Sequence, residues 1–174
     1  MKKVEDYVTT IPDFPEKGIM FRDITTVLAD PDGLQLAVDE MADLLKDVEY
    51  DAIVGLESRG FIFGMPIAYK EHKPFILIRK KGKLPRETIS VSYELEYGKA
   101  EIEVHKDDLK KGERVVLVDD LLATGGTMAA AVELVRKLGC EVVKSIFLLE
   151  LKGLEGRKKL KGIDVEAVAQ YEGK

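Results

Sequence analysis

The sequence predicts one α/β domain built on a mostly parallel central β-sheet flanked by helices, and three observations predict it. Residues 51–56 (DAIVGL), 74–78 (PFILI), 114–118 (RVVLV) and 142–149 (VVKSIFLL) are continuous apolar runs rather than in/out alternations. Such runs suit strands buried on both faces. Helical periodicity lies between them, giving the strand–helix–strand rhythm of an α/β fold. The length, 174 residues, is enough for one well-cored domain and too little for two.

Taken in order, residues 1–18 (MKKVEDYVTTIPDFPEKG) carry two lysines with no apolar stretch behind them, so they do not read as a secretory signal. In residues 30–48, Leu34, Val38, Met41, Leu45 and Val48 recur at three- or four-residue steps. Asp30 suits the N-cap of that helix and Pro31 its first turn. A second helix follows residues 124–127, marked by Met128, Val132, Val135 and Leu138, with Gly139 a natural stop. Residues 82–105 break the rhythm. Ile89, Val91, Tyr93 and Leu95 alternate with polar residues, and after Tyr97-Gly98 the alternation resumes at Ala100, Ile102 and Val104. This is a hairpin, preceded by a basic, glycine-containing lead. Its place in mid-chain suits a flap over a site.

Composition narrows the function. Hydrophobic residues make up 45% and charged residues 34%, as in ordinary globular domains. A net charge of −5 argues against a general nucleic-acid binder, which needs a basic surface. Cys140 stands alone, so no internal disulfide forms, in keeping with a reducing compartment. With only His72 and His105 beside it, a Cys/His zinc site is not expected. No run of about 18 apolar residues reads as a membrane span.

The chemistry concentrates in residues 115–127 (VVLVDDLLATGGT). Residues 115–118 read as the strand, so Asp119 and Asp120 fall at its carboxyl end, where ligands bind in open α/β sheets. Carboxylates about 6 Å apart repel by roughly 3 kcal/mol at an effective dielectric of about 20, so the pair anticipates a ligand. Beyond it, Thr124, Gly125, Gly126 and Thr127 lead into a helix whose first N–H groups are unpaired and whose dipole end is positive. That is an anion cradle. It is not a P-loop, since no lysine follows Gly126, and not the dinucleotide fingerprint, since its glycines are adjacent. The carboxylates would repel the phosphate but accept from vicinal hydroxyls, or lie near a divalent metal. The ligand so described is a ribose 5-phosphate.

Residues 115–127 also resemble, position for position, the phosphoribosyl-pyrophosphate motif of the type I phosphoribosyltransferases. FPEKGIMFRDIT, GLESRGFIFG, IRKKGKLP and YELEYGKAEIEV extend the resemblance along nearly the whole chain and look like the adenine phosphoribosyltransferases of that family. The resemblance implies a type I phosphoribosyltransferase-like fold over residues 1–174, with a small hood segment at about 1–30 and a flexible flap at about 82–105. It implies transfer of the phosphoribosyl group of phosphoribosyl pyrophosphate to adenine, giving AMP and pyrophosphate, in a cytoplasmic homodimer that works on small molecules, not nucleic acid or membrane.

Residue by residue, the resemblance puts Asp119 and Asp120 on the ribose hydroxyls. Ala123, Thr124, Gly125, Gly126 and Thr127 take the 5′-phosphate. Glu57, Ser58 and Arg59, with a cis Glu57–Ser58 peptide, join Arg79, Lys80 and Lys83 on pyrophosphate. Phe21 stacks on adenine while the backbones of Met20 and Arg22 read its edge. Glu96 is implied as the group that takes the base's proton, with Tyr97 beside the reaction centre. Mg2+ is implied as cofactor, held mainly by substrate, with no dedicated protein ligands. Other readings are a hypoxanthine, xanthine or orotate enzyme sharing the central motif, and a regulator that kept the ligand site but lost catalysis. A serine nucleophile at Ser58 lacks a G-x-S-x-G context, and a helix N-cap is its plainer role.

Overall fold

The computed structural model describes residues 1–95 and 97–173, so Glu96 lies outside the described residues. The apolar runs become the middle of a seven-stranded sheet. β3 (Ala52–Leu56), β4 (Phe75–Lys80), β7 (Arg114–Leu122), β8 (Glu141–Leu151) and β9 (Val165–Tyr171) are parallel, in the order β4-β3-β7-β8-β9. The hairpin of β5 (Thr88–Leu95) and β6 (Gly98–His105) extends the β4 edge antiparallel. Before the sheet, β1 (Thr9–Pro12) and β2 (Met20–Asp23) form a separate antiparallel pair, followed by the short helix α1 (Thr25–Leu28).

Both faces of the sheet are covered. Ile53, Val116, Val118, Ile146 and Leu148 point to one face, against Ala37 and Met41 of α2 (Pro31–Asp43) and Phe63 and Ile67 of α3 (Arg59–Glu71). Ala52, Val54, Leu56, Val115, Leu117 and Phe147 point to the other, against Met128, Ala131, Val132 and Val135 of α4 (Gly126–Lys137). Every residue of β3 is buried, as its unbroken apolar run requires.

Local signals act as read. The Asp30 carboxylate accepts from the N–H groups of Asp32 (2.8 Å) and Gly33 (3.1 Å), with Pro31 opening α2. Gly139, at φ +80°, follows the end of α4.

Several bounds differ from the sequence reading. α2 ends at Asp43 and Leu34 faces solvent, so the periodicity through Val48 overran the helix. β7 runs on to Leu122, and Asp119 and Asp120 are therefore inside the strand, held there by pairing with β8 at Phe147 and Leu149. β4 likewise continues through Arg79 and Lys80, which pair with Glu103 and Ile102 of β6. The hairpin that looked like an interruption is what extends this strand.

Candidate functional site

Strand β7 carries the acid pair and delivers the chain to the glycine loop. Asp120 is 7% exposed, and Arg59 reaches it from the first turn of α3, Nε to Oδ2 at 2.8 Å. Asp119 Oδ1 accepts from the Asp120 backbone N–H at 2.8 Å. Loss of solvent and then the Asp120 charge push the Asp119 carboxyl well above its usual range, against a smaller opposing pull from Arg59. α3 can come this close because Gly60 has no side chain. A methyl there would meet Val118 O at 2.7 Å and Asp119 Oδ1 at 3.3 Å.

Residues 121–128 line a cavity of about 90 Å³ with Asp119 and Phe147. Its floor is the start of α4. Gly125 adopts φ +85°, and a methyl on it would come within 2.5 Å of Gly156 O, so both conformation and space demand glycine. Gly126 is different: a methyl there meets nothing nearer than Lys159 Nζ, at 3.8 Å. Packing of the described residues does not require a glycine at position 126; close approach of a ligand to the backbone would.

A second cavity, of about 380 Å³ and mostly apolar, adjoins the acid pair. β1 and β2 supply Ile11, Phe21, Arg22 and Asp23 to its wall, and Arg59, Asp120, Leu121 and Leu149 close the sheet side. Phe14 meets Phe21 edge-on, ring centroids 5.2 Å apart. The Arg22 side chain points away from a ligand role. Its Nη1 donates to Thr10 Oγ1 at 2.6 Å, its guanidinium lies over the Tyr171 ring at 4.1 Å, and its Nε is buried without a partner. Met20 is exposed and does not line the cavity.

Ser58, Arg79 and Lys83 gather around Glu57, between β3 and α3. The Glu57–Ser58 peptide is cis, as the resemblance implied. Ser58 occupies the N-cap position of α3 without a side-chain capping bond. Arg79 Nε and Lys83 Nζ both contact the Glu57 carboxylate, at 2.6 and 3.1 Å. Burial pushes this carboxyl up, but the hydrogen bonds and positive charges of Arg79 and Lys83 together hold it below its usual range. Lys80 is exposed at the end of β4. Tyr97 stands at the hairpin turn, 90% exposed, and borders neither cavity. The hairpin does touch the loop, through a 3.2 Å bond from Thr127 Oγ1 to Tyr93 OH. Neither histidine serves Ser58: His105 pairs with Asp108 and Arg86, and His72 ends α3 in a left-handed turn.

Sequence reasoning missed the apolar wall at Ile11, Phe14, Leu121 and Leu149. It also missed Thr10 and Tyr171, which hold Arg22. Leu121 follows one strand run and Leu149 ends another, so both read as core, and nothing in a linear pattern brings β9 to β2.

A parallel sheet with an acid pair at its carboxyl edge, a glycine loop on the next helix and an apolar pocket beside them defines a ribose-phosphate-handling class. The chain belongs to the phosphoribosyl transferase family, whose domain it matches over residues 24–170. Its full length resembles adenine phosphoribosyltransferases. That of Agathobacter rectalis is 65% identical over 100% of both chains. The crystal structure of the Thermoanaerobacter pseudethanolicus protein superposes with a TM-score of 0.92 at 48% identity, covering 97% of this chain and 98% of that one. The Saccharomyces cerevisiae protein, solved with an imino-altritol bisphosphate and adenine, gives 0.88 at 38% identity, over 95% and 96%.

Proposed function

We infer that this chain transfers the 5-phosphoribosyl group of phosphoribosyl pyrophosphate to adenine, forming AMP and pyrophosphate. One observation carries the reading: the apolar cavity and the phosphate-loop cavity lie on either side of the same strand end, sharing Leu121 and flanked by the acid pair. A base in the first and a phosphate in the second leave the ribose on Asp119 and Asp120, with its C1′ toward the base. The yeast relative's adenine complex supports the choice of base.

In this reading the N–H groups of residues 123–127 take the 5′-phosphate at the positive end of α4. Phe21 stacks on adenine, and the Met20 and Arg22 backbones read its edge. The Arg22 side chain, fixed on Thr10 and Tyr171, holds that backbone in place. Arg59, Arg79, Lys80 and Lys83, with the Glu57–Ser58 turn, receive pyrophosphate. Arg79 and Lys83 exchange part of their contact with Glu57 for the leaving group. The C1′–O bond breaks as adenine N9 forms the new C1′–N bond, and the electron pair leaves with pyrophosphate. The base's proton passes to Glu96, with Tyr97 nearby when the hairpin of residues 82–105 covers the site. General-base help of this kind contributes roughly 10²–10⁴ in rate.

The donor set suits Mg2+ held mainly by substrate. Among the described residues no cluster of three or more carboxylate, histidine or cysteine groups could cage a metal, and Mg2+ commonly takes most of its ligands from phosphates and water. When bound, the ion would neutralise charge on the pyrophosphate oxygens. We place the enzyme in the cytoplasm as a homodimer. In support, Ile62, Met65 and Tyr69 form an exposed apolar stripe along α3, next to Arg59, and the single thiol is buried and unpaired. No described helix is long and apolar enough to cross a membrane.

Titration with AMP and IMP tests the base site. AMP should bind at least tenfold more tightly than IMP. Phe21→Ala should weaken AMP while leaving ribose 5-phosphate unchanged. Equal affinity for the two nucleotides would refute the adenine reading.

A further inference from the structure

The phosphate loop has no cation of its own, yet a phosphate monoester brings roughly two negative charges beside two carboxylates. Arg59, the guanidinium closest to the acid pair, is already on Asp120. The structure supplies another cation from a distant part of the sequence, the 3-10 segment Gly156–Leu160.

This segment is the back wall of the loop. Gly156 is buried, and a methyl on it would come within 2.5 Å of Ala123 O, just as one on Gly125 would meet Gly156 O. The two backbones are therefore in direct contact. Arg157 locks the segment: its Nε and Nη2 donate to the two Glu150 oxygens at 2.8 and 2.9 Å, and its Nη1 donates to Val165 O at 2.8 Å. Glu150 is 3% exposed and also accepts from Gln170, so a buried, fully engaged carboxylate fixes the half-exposed Arg157. Leu160 plugs into the core at the other end. Between these anchors, Lys159 projects its Nζ to 3.8 Å from where a Gly126 side chain would begin. Lys158 beside it turns to Glu155, whereas Lys159 has no carboxylate partner among the described residues.

We propose that Lys159 is the cationic ligand of the 5-phosphate bound on the loop of residues 123–127. The proposal rests on the ribose-phosphate reading of that loop and adds to it. The backbone N–H groups orient the phosphate, and the Lys159 ammonium donates to a phosphate oxygen from the side of α4. This also gives the basic, otherwise unassigned run GRKKL a task.

The test is titration of ribose 5-phosphate into the wild-type chain, Lys159→Met and Lys159→Arg, at low and high salt. Lys159 is exposed, so both variants should melt with the wild type. Loss of one charge-assisted hydrogen bond should weaken ribose 5-phosphate about tenfold in Lys159→Met, with a shallower salt dependence. Lys159→Arg should recover most of the affinity. In turnover, Lys159→Met should raise KM for phosphoribosyl pyrophosphate while leaving KM for adenine unchanged. A wild type that binds ribose 5-phosphate, with Lys159→Met binding it equally well, overturns the proposal and leaves the loop reading intact. A wild type that does not bind ribose 5-phosphate overturns both.

Discussion

Asp119 and Glu57 are acidic residues of the site with opposite energetics. Asp119 is desolvated and faces Asp120, so its folded-state pKa is raised and its charge opposes folding above that pKa. Asp119→Asn keeps the acceptor for the Asp120 N–H and removes the charge. It should raise Tm by about 2–4 °C, the shift expected of about 1 kcal/mol in a domain this size, while raising KM for phosphoribosyl pyrophosphate. Calorimetry beside kinetics checks both halves, and a lower Tm would contradict the assignment. Glu57 has its folded pKa lowered, so its stabilisation is present above the unfolded value of 4.5 and is lost as pH falls below it. Glu57→Gln should flatten the acid limb of the stability curve and cost about 1 kcal/mol near neutrality, by weakening the contacts of Arg79 and Lys83. Urea unfolding across pH 3–7 reads this out. The repulsion within the acid pair was visible in the sequence; the ties that hold Glu57 were not. The acid pair was legible as chemistry, but Glu57 and Arg79 are 22 positions apart and meet only because β3 and β4 are neighbours.

At the scale of elements, the adjacent glycines have separable tasks. Gly125→Ala forces a side chain onto φ +85° and against Gly156 O, so it should destabilise the fold and abolish phosphate binding together. Gly126→Ala meets only Lys159 Nζ, at an ordinary contact distance of 3.8 Å, and should melt normally, yet lose ribose 5-phosphate affinity. If both variants lose stability equally, the distinction fails. The strand–loop–helix unit was readable because its signals are local: an apolar run, two acids, glycines, then a 3.6-residue period. The hairpin was readable from alternation, and its register runs from Thr88 opposite His105 to Leu95 opposite Gly98. α3 was not assigned a periodicity, because Gly60, Gly64 and Pro66 interrupt it. Their reason is tertiary: Gly60 and Gly64 admit Val118, Asp119 and Phe75. β9, VEAVAQY, alternates only weakly and was assigned no strand. Its place beside β8, and Tyr171 under Arg22, exist only once the sheet is assembled.

Across the whole molecule, two cavities, one acid-bearing strand and the cations Arg59, Arg79 and Lys83 lie at the carboxyl edge of the sheet, while the outward stripe of α3 lies nearby. If that stripe is a self-association surface, the chain should sediment as a dimer, and Met65→Asp with Tyr69→Asp should yield monomers. An unchanged mass in the double variant would place the interface elsewhere. Transfer to adenine is read out by measuring AMP formation from phosphoribosyl pyrophosphate and adenine with Mg2+, beside hypoxanthine, guanine and orotate at equal concentration. Turnover with adenine should exceed that with the other bases at least a hundredfold. Glu96→Ala should lower turnover by roughly 10²–10⁴ but not to zero. Comparable turnover of another base, or none with any base despite tight binding of the ribosyl donor, would contradict transfer to adenine.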